Sequence, residues 1–351
     1  MPHPDTWLCV RPQGLYCAPA DVFIDPVVPV PRAVITHAHA DHARPGHGAV
    51  LATAETLAIM ETRMGSGRAG ATQQALAPGE VLTLGGVKLW LQPAGHVLGS
   101  AQVAMEWQGS RAVVSGDYKR AADPTCAPFV PIACDVFVTE ATFALPIFVH
   151  PPAEMEIRKL LDSVALFAGR THVVGCYALG KAQRLIALLR AGGWDRPIYL
   201  HGALMPLCET YARLGVALGD LRPATVADSS ALAGAIVLAP PAAIADRWAR
   251  RLSDPVTVMA SGWMRVRQRA KARGVELPLV ISDHADWPEL LQTIEQVAAP
   301  EIWVTHGAED ALIHEVAKRG IRGRALRLLG YGEDVQEGSA EFRQQDAAES
   351  G

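Results

Sequence analysis

The chain has 351 residues, half of them apolar and 19% charged, with a formal net charge of −4. These values predict a sizeable core and exclude wholesale disorder. They also exclude a global electrostatic attraction to nucleic acid, so any such binding must rest on local patches.

In chain order, the start Met1-Pro2-His3-Pro4-Asp5 lacks a charged segment followed by an apolar run, so no signal peptide is expected. No uninterrupted apolar segment approaches the roughly 20 residues of a membrane span. The six cysteines (Cys9, Cys17, Cys126, Cys134, Cys176, Cys208) form no CxxC pair. They read as free thiols, and the chain as cytoplasmic. Residues 1–36 predict short strands broken by proline: Trp7–Val10, Leu15–Cys17, Val22–Ile24 and Ala33–Thr36. A strand Val50–Ala52 and a short helix carrying Leu57, Met60 and Met64 follow. Val81–Leu84 and Val87–Leu91 flank Gly85-Gly86, a hairpin signal; Ala101–Trp107, Arg111–Ser115 and Val136–Thr139 are further strands.

The texture changes at His150-Pro151-Pro152. Helices over Glu154–Phe167, Lys181–Ala191, Leu204–Leu214 and Ala242–Arg251 then alternate with strands Thr171–Tyr177, Pro197–Leu200, Ala235–Ala239 and Val256–Ala260. Such alternation predicts a parallel, doubly wound sheet. From Leu279–Ile281 the first texture returns, with a helix and then a strand Ile302–Thr305. The expected architecture is α/β: a sandwich domain (1–150 and 276–338) interrupted by a doubly wound domain (151–275), with a polar tail over 339–351.

The densest chemistry is His37-Ala38-His39-Ala40-Asp41-His42, three imidazoles and a carboxylate directly after an apolar strand. Residues two apart on an extended segment point the same way, so His37 and His39 can grip one ion. A following turn, if it opens a helix, swings Asp41 and His42 towards a second. One cluster cannot fill two coordination spheres. His96, Asp117 and His306 each end a strand beside a glycine and supply the remainder. In the resulting two-ion scheme His37, His39 and His96 hold one metal, Asp41, His42 and His306 hold the other, and Asp117 bridges. The donor set favours zinc and admits manganese. Asp25, also at a strand end, reads either as an Asp-Pro turn residue or as a hydrogen-bonding support for the histidine loop.

HxHxDH followed by His, Asp and a last His resembles the metallo-β-lactamase superfamily. The inserted α/β segment, with Glu140 in Thr139-Glu140-Ala141, His284 in Ser282-Asp283-His284-Ala285-Asp286 and His306 in Thr305-His306-Gly307, is similar to the β-CASP nuclease branch. The closest likeness is to bacterial ligase-associated DNA damage response exonucleases. The resemblance implies an αββα sandwich with an inserted β-CASP domain. It further implies phosphodiester hydrolysis by a hydroxide activated between two divalent ions. His284 is then the general acid, held in its working tautomer by Glu140, and Asp41 accepts a proton from the attacking water. Read from its place alone, His284 is also a candidate metal ligand.

Tyr177-Ala178-Leu179-Gly180-Lys181 and Ala260-Ser261-Gly262-Trp263-Met264 resemble the sheet-end loops of that branch. Lys181, Ser261 and Gly262 are thereby candidate substrate contacts. Gly180-Lys181 opens a helix after a strand, a place that attracts phosphate or merely carries a solvated lysine. Arg265, Arg267, Arg269, Lys271 and Arg273 give the acid-free stretch 262–275 five positive charges. Arg265 and Arg269 would track a strand's phosphates if one helix carried them. Lys119 and Arg120 form a second basic pair, and Trp263 either stacks on a base or packs between domains. The implied partner is DNA, as a single strand or a strand end, in repair beside a ligase or helicase, and no membrane. RNA processing within the same branch and small-molecule ester or lactone hydrolysis are the alternatives.

Overall fold

Proline and glycine interrupt the apolar runs of the first 75 residues every few positions, so the chain turns often and builds short strands. The structure, a computed structural model, describes residues 1–225, 232–244, 248, 252 and 254–328. Six strands form one sheet in chain order: β1 Leu8–Arg11, β2 Gly14–Cys17, β3 Val22–Ile24, β4 Arg32–Val34, β5 Ala49–Ala52 and β6 Thr72–Ala75. The first three run antiparallel, and β3 to β6 run parallel. The helix Ala54–Met64 links β5 to β6 and starts at Thr53, whose hydroxyl accepts from the Thr56 amide.

A second sheet contains β7 Val81–Leu84, β8 Val87–Pro93, β9 Ala101–Trp107, β10 Ser110–Val114, β11 Val136–Ala141, β18 Glu301–Gly307 and β19 Arg322–Ala325. Their order is β19-β18-β11-β10-β9-β8-β7. Alternation along these strands sends side chains to two interiors. Val103, Met105, Val114, Val138 and Trp303 meet Leu15, Ile24, Val34 and Leu51 of the first sheet. Ala104, Val113, Phe137, Ile302 and Val304 pack under the helices Trp287–Val297 and Glu309–Lys318 through Leu290, Ile294, Leu312 and Val316. Two sheets face to face, with helices packed on the far side of the second, form the sandwich expected of the strand-rich segments.

The third sheet is parallel throughout: β12 His172–Gly175, β13 Ile198–Leu200, β14 Leu221–Pro223, β15 Ile236–Ala239, β16 Val256–Ala260 and β17 Leu277–Leu279. Its order is β14-β13-β15-β12-β16-β17, with the first strand in the interior as in doubly wound sheets. Helices Ala153–Leu166, Lys181–Ala191 and Met205–Arg213 lie between strands in sequence.

The chain divides into two compact units, Met1–Phe148 with the segment from His284 onward, and Val149–Asp283. The second boundary differs from the one expected at 275/276. Leu277–Leu279 pairs with Val258–Ala260, so this strand closes the parallel sheet instead of reopening the sandwich. The segment after His39 is a turn, not a helix, in which the His42 and Ala43 amides both donate to the His39 carbonyl. The basic stretch is also no single helix. A 3-10 turn Gly262–Arg265 and a helix Arg267–Ala272 meet at Val266, whose backbone is extended (φ −92°, ψ 101°). The tail 339–351 and most of the helix expected over Ala242–Arg251 fall outside the described residues. Among those described, no helix is long and apolar enough to cross a membrane.

Candidate metal centre

Every side chain of the centre stands at or just beyond a strand end of the first unit. β4 runs out into Thr36-His37, β8 into Gly95-His96, β10 into Gly116-Asp117, β11 carries Glu140, and β18 carries His306. Gly116 has φ +57°, and a Cβ there would lie 2.7 Å from Thr36 Oγ1. Gly307 has φ +102°, and its Cβ would meet the Ala141 backbone at 2.2 Å. Only glycine allows these close passages.

The Asp117 carboxylate is the hub. Its Oδ2 lies 3.4 Å from His37 Nε2, 3.5 Å from His42 Nε2 and 3.8 Å from His96 Nε2. Its Oδ1 lies 3.4 Å from His306 Nε2. The rings of His37, His39 and His96 form a triangle with centroids 4.7–4.9 Å apart. His96 Nε2 and His39 Nδ1 are 2.9 Å apart. Asp41 Oδ2 sits 3.7 Å from His42 Nε2. His37, His39, His96 and Asp117 thus offer ligand atoms within 4.8 Å of one another, and so do Asp117, Glu140 and His306.

The tautomers follow from hydrogen-bond accounting. The Thr36 hydroxyl donates to Asp25 Oδ2 at 2.6 Å, so at His37 Nδ1, 3.0 Å away, it can only accept. His37 therefore carries its proton on Nδ1 and turns a lone pair at Nε2 towards Asp117. His306 repeats the device: Thr305 Oγ1 donates to the Thr139 carbonyl and faces His306 Nδ1 at 2.9 Å. Asp25 Oδ2 faces His42 Nδ1 at 2.8 Å and fixes a proton on that nitrogen. Lone pairs aimed at a carboxylate oxygen repel unless a cation stands between them. His37 Nε2 and Asp117 Oδ1 are buried with no hydrogen-bond partner, which fits that demand.

The electrostatics agree. Burial, joined by the imidazoles of His42, His96 and His39, pushes His37 well below the ordinary imidazole range. Burial works against charge on Asp117 too, but His42, His284, His306 and His37 outweigh it and hold the carboxyl well below the usual range. For His42, burial is outweighed by Asp117, Asp41 and Asp25, which raise it well above. The cavity thus favours positive charge beside ionised carboxylates, and the donor set suits divalent ions.

Around this hub sits a layer of supports. Asp25, buried with φ +43°, accepts from the Thr36 amide, the Thr36 hydroxyl and His42 Nδ1. Ser100 Oγ accepts from the His96 and Val97 amides, and Arg63 donates to the Ala38 carbonyl between His37 and His39. The sequence reading missed Thr36 and Thr305, although a Thr-His pair recurs at the two strand ends. Glu140 and His284 also meet: Glu140 Oε2 lies 2.9 Å from His284 Nδ1, and Glu140 Oε1 accepts from the Tyr118 amide at 2.8 Å. The His284 ring lies 4.7 Å from that of His96.

Several basic residues expected to face solvent or phosphate are already paired within the fold. Lys119 is buried with its ammonium 2.7 Å from Glu289, and Arg120 donates to Gln296 and stacks on Phe129. Neither is a solvated patch. In the second unit Lys181 is buried, its Nζ 2.7 Å from Asp283, so it does not present its charge to a phosphate. Ser261 and Gly262 are buried, and Ser261 Oγ accepts from the Trp263 amide. The Arg269 guanidinium lies 4.1 Å over the Trp263 ring, and Arg265 is exposed.

No family model matches the chain. A protein of Opitutus terrae named "Probable DNA ligase" is 28% identical over 341 residues, spanning 92% of this chain and 31% of that protein. The endoribonuclease YSH1 of Saccharomyces cerevisiae is 30% identical over 147 residues, 37% of this chain and 18% of its own length. A ribonuclease of Thermus thermophilus is 25% identical over 383 aligned positions, covering 87% of this chain and 88% of that enzyme. The chain therefore spans less than a third of the first two relatives and most of the third. Among solved structures, a protein of unknown function from Enterococcus faecalis V583 shares the fold, with a TM-score of 0.56 at 12% identity over 84% of this chain and 78% of that one.

Proposed function

We propose, on the premise that this chain is a member of the β-CASP branch of the metallo-β-lactamase superfamily, that it hydrolyses nucleic-acid phosphodiesters and acts on DNA strand ends as a repair exonuclease. The observation that carries this reading is the set of four imidazole nitrogens, those of His37, His42, His96 and His306, within 3.8 Å of one buried carboxylate. His37, His39 and His96 would hold one divalent ion and Asp41, His42 and His306 a second, with Asp117 shared. Zinc suits these donors and manganese is the alternative. Such ions, when bound, neutralise phosphate charge and acidify water at neutral pH.

The protein's own groups do the rest. Asp41, half-buried at the edge of the cluster, accepts a proton from the attacking water. His284 supplies a proton to the departing sugar oxygen. Glu140 fixes its Nδ1 as a protonated nitrogen, which leaves Nε2 as the edge offered to substrate. Asp25 and Thr36 keep His37 and His42 from rotating. In the second unit Arg265 and Arg269 are the basic contacts, with the Arg269 guanidinium stacked on one face of Trp263. Ser261 and Gly262 shape the loop that carries them.

DNA is favoured because the relative that matches 92% of this chain is named a DNA ligase, and the chain corresponds to a third of it. A segment of this kind within a ligase-named protein suggests action on ends prepared for joining, with a ligase as working partner. The other reading, RNA processing, is supported by the ribonuclease from Thermus thermophilus. Digestion of matched DNA and RNA, each labelled at the 5′ or 3′ end, separates the two. DNA shortened from one end is the expected result, and faster loss of RNA or internal cuts overturns the choice.

A further inference from the structure

The loop that follows Asp117 is fastened to the loop that carries His284 by more than Glu140. Tyr118 donates its amide to Glu140, and its carbonyl accepts from the Ala285 amide at 2.6 Å. Two residues after Asp117, Lys119 Nζ lies 2.7 Å from Glu289 Oε2. Two residues further, the Ala121 amide donates to Glu289 Oε1 at 2.8 Å. The same Glu289 carboxylate closes a capping box at the start of the helix Trp287–Val297. It accepts from the Asp286 amide, while Asp286 Oδ1 accepts from the Glu289 amide. One carboxylate thus takes three donors, two from the Asp117 loop and one from the His284 loop. Helix capping needs only the last of these, so capping does not account for the buried lysine.

The pair is shielded, with side-chain exposures of 7% for Lys119 and 16% for Glu289. Held in that geometry it restrains both loops against sliding. Two parts of the centre move with these loops: the Asp117 carboxylate, and the His284 imidazole 4.7 Å from His96. We propose that Glu289 and Lys119 are positioning residues that set the His284 imidazole in register with the Asp117 hub. The inference rests on the reading of His284 as the proton donor to the leaving oxygen.

The test separates leaving groups. A sugar oxygen needs a proton as it departs, whereas nitrophenolate, a far weaker base, does not. The full chain, loaded with manganese, is assayed on single-stranded DNA and on bis(4-nitrophenyl) phosphate, with His284→Ala as the reference. Glu289→Gln leaves the Lys119 charge buried and opposed by no carboxylate. The double variant Lys119→Met/Glu289→Gln removes the pair as a unit, and Lys119→Arg retains it. In the double variant kcat on DNA should fall on the order of ten- to a hundred-fold. Its KM, its turnover of the aryl diester and its metal content per chain should match the parent, and Lys119→Arg should keep parental turnover. Equal loss on both substrates, loss of bound metal, or parental turnover on DNA overturns the positioning role. If His284→Ala itself loses both activities equally, the reading of His284 fails, and this inference falls with it.

Discussion

Replacing Asp25 with asparagine isolates the charge beneath the histidine loop. Asparagine tolerates the left-handed backbone at this position (φ +43°) about as well as aspartate, so backbone strain does not enter. The carboxylate takes the Thr36 amide on Oδ1, and the Thr36 hydroxyl and His42 Nδ1 on Oδ2. An amide offers one acceptor oxygen and turns a donor towards the remaining partners. With its oxygen in the Oδ2 place, two charge-assisted bonds become neutral ones, and the buried Thr36 amide is left facing an NH2 group. The combined cost is roughly 3–5 kcal/mol. Freed imidazoles at His37 and His42 should further weaken metal affinity by about 10- to 100-fold. Urea unfolding followed by near-ultraviolet circular dichroism measures the first quantity, and calorimetric titration with zinc or manganese the second. An Asp25→Asn chain with parental unfolding midpoint and parental metal affinity would refute the accounting that fixes the tautomers.

Other outcomes follow from the same geometry. His306→Ala should lose bound metal, whereas His284→Ala should keep it and lose turnover on nucleic acid by about 10²–10⁴-fold; metal analysis beside single-turnover assays tests the division. Reversing Arg265 and Arg269 to glutamate should weaken binding to a single strand and reduce the slope of log affinity against log salt by about 0.7 for each phosphate no longer neutralised. An unchanged slope removes both from the footprint. Burial pushes the Cys17 and Cys208 thiols up to about 11, so both should resist an aromatic disulfide reagent at pH 8 until the chain is denatured. The linkage has a definite sign. A thiol whose folded value is raised adds stability below the ordinary thiol range, and that contribution is lost as pH rises from there to about 11.

The hub was legible in the sequence because ligand chemistry is local: His37 to His42 lie on one loop, and His96, Asp117 and His306 each stand at a strand end beside glycine. Most strands of the two sandwich sheets were legible for a similar reason, as short apolar runs bounded by glycine and proline. Three short strands gave no such signal. Thr72–Ala75 is exposed throughout, Leu221–Pro223 contains a proline, and Arg322–Ala325 carries two arginines. Each depends on a neighbour already in place. Lys119 and Lys181 show the larger limit. Each reads as a solvated cation near the chemistry, yet their carboxylates stand at Glu289 and Asp283, more than a hundred residues away along the chain. Periodicity reports which face is apolar; it does not report which distant acid will close over a lysine. The break at Val266 has the same character, since no helix breaker marks it.

The parallel pairing of β18 with β11 carries one more consequence. Thr139 of β11 is matched with Val304 of β18, and the whole of Val149–Asp283 is translated between the two. A chain emerging from the ribosome therefore displays HxHxDH long before His306 can dock against the sheet. Until then Asp117 lacks one of its four imidazole neighbours, and Glu140 has no His284 to orient. Synthesis itself delays the completed hub, so an interrupted translation product inherits the motif without the assembled centre.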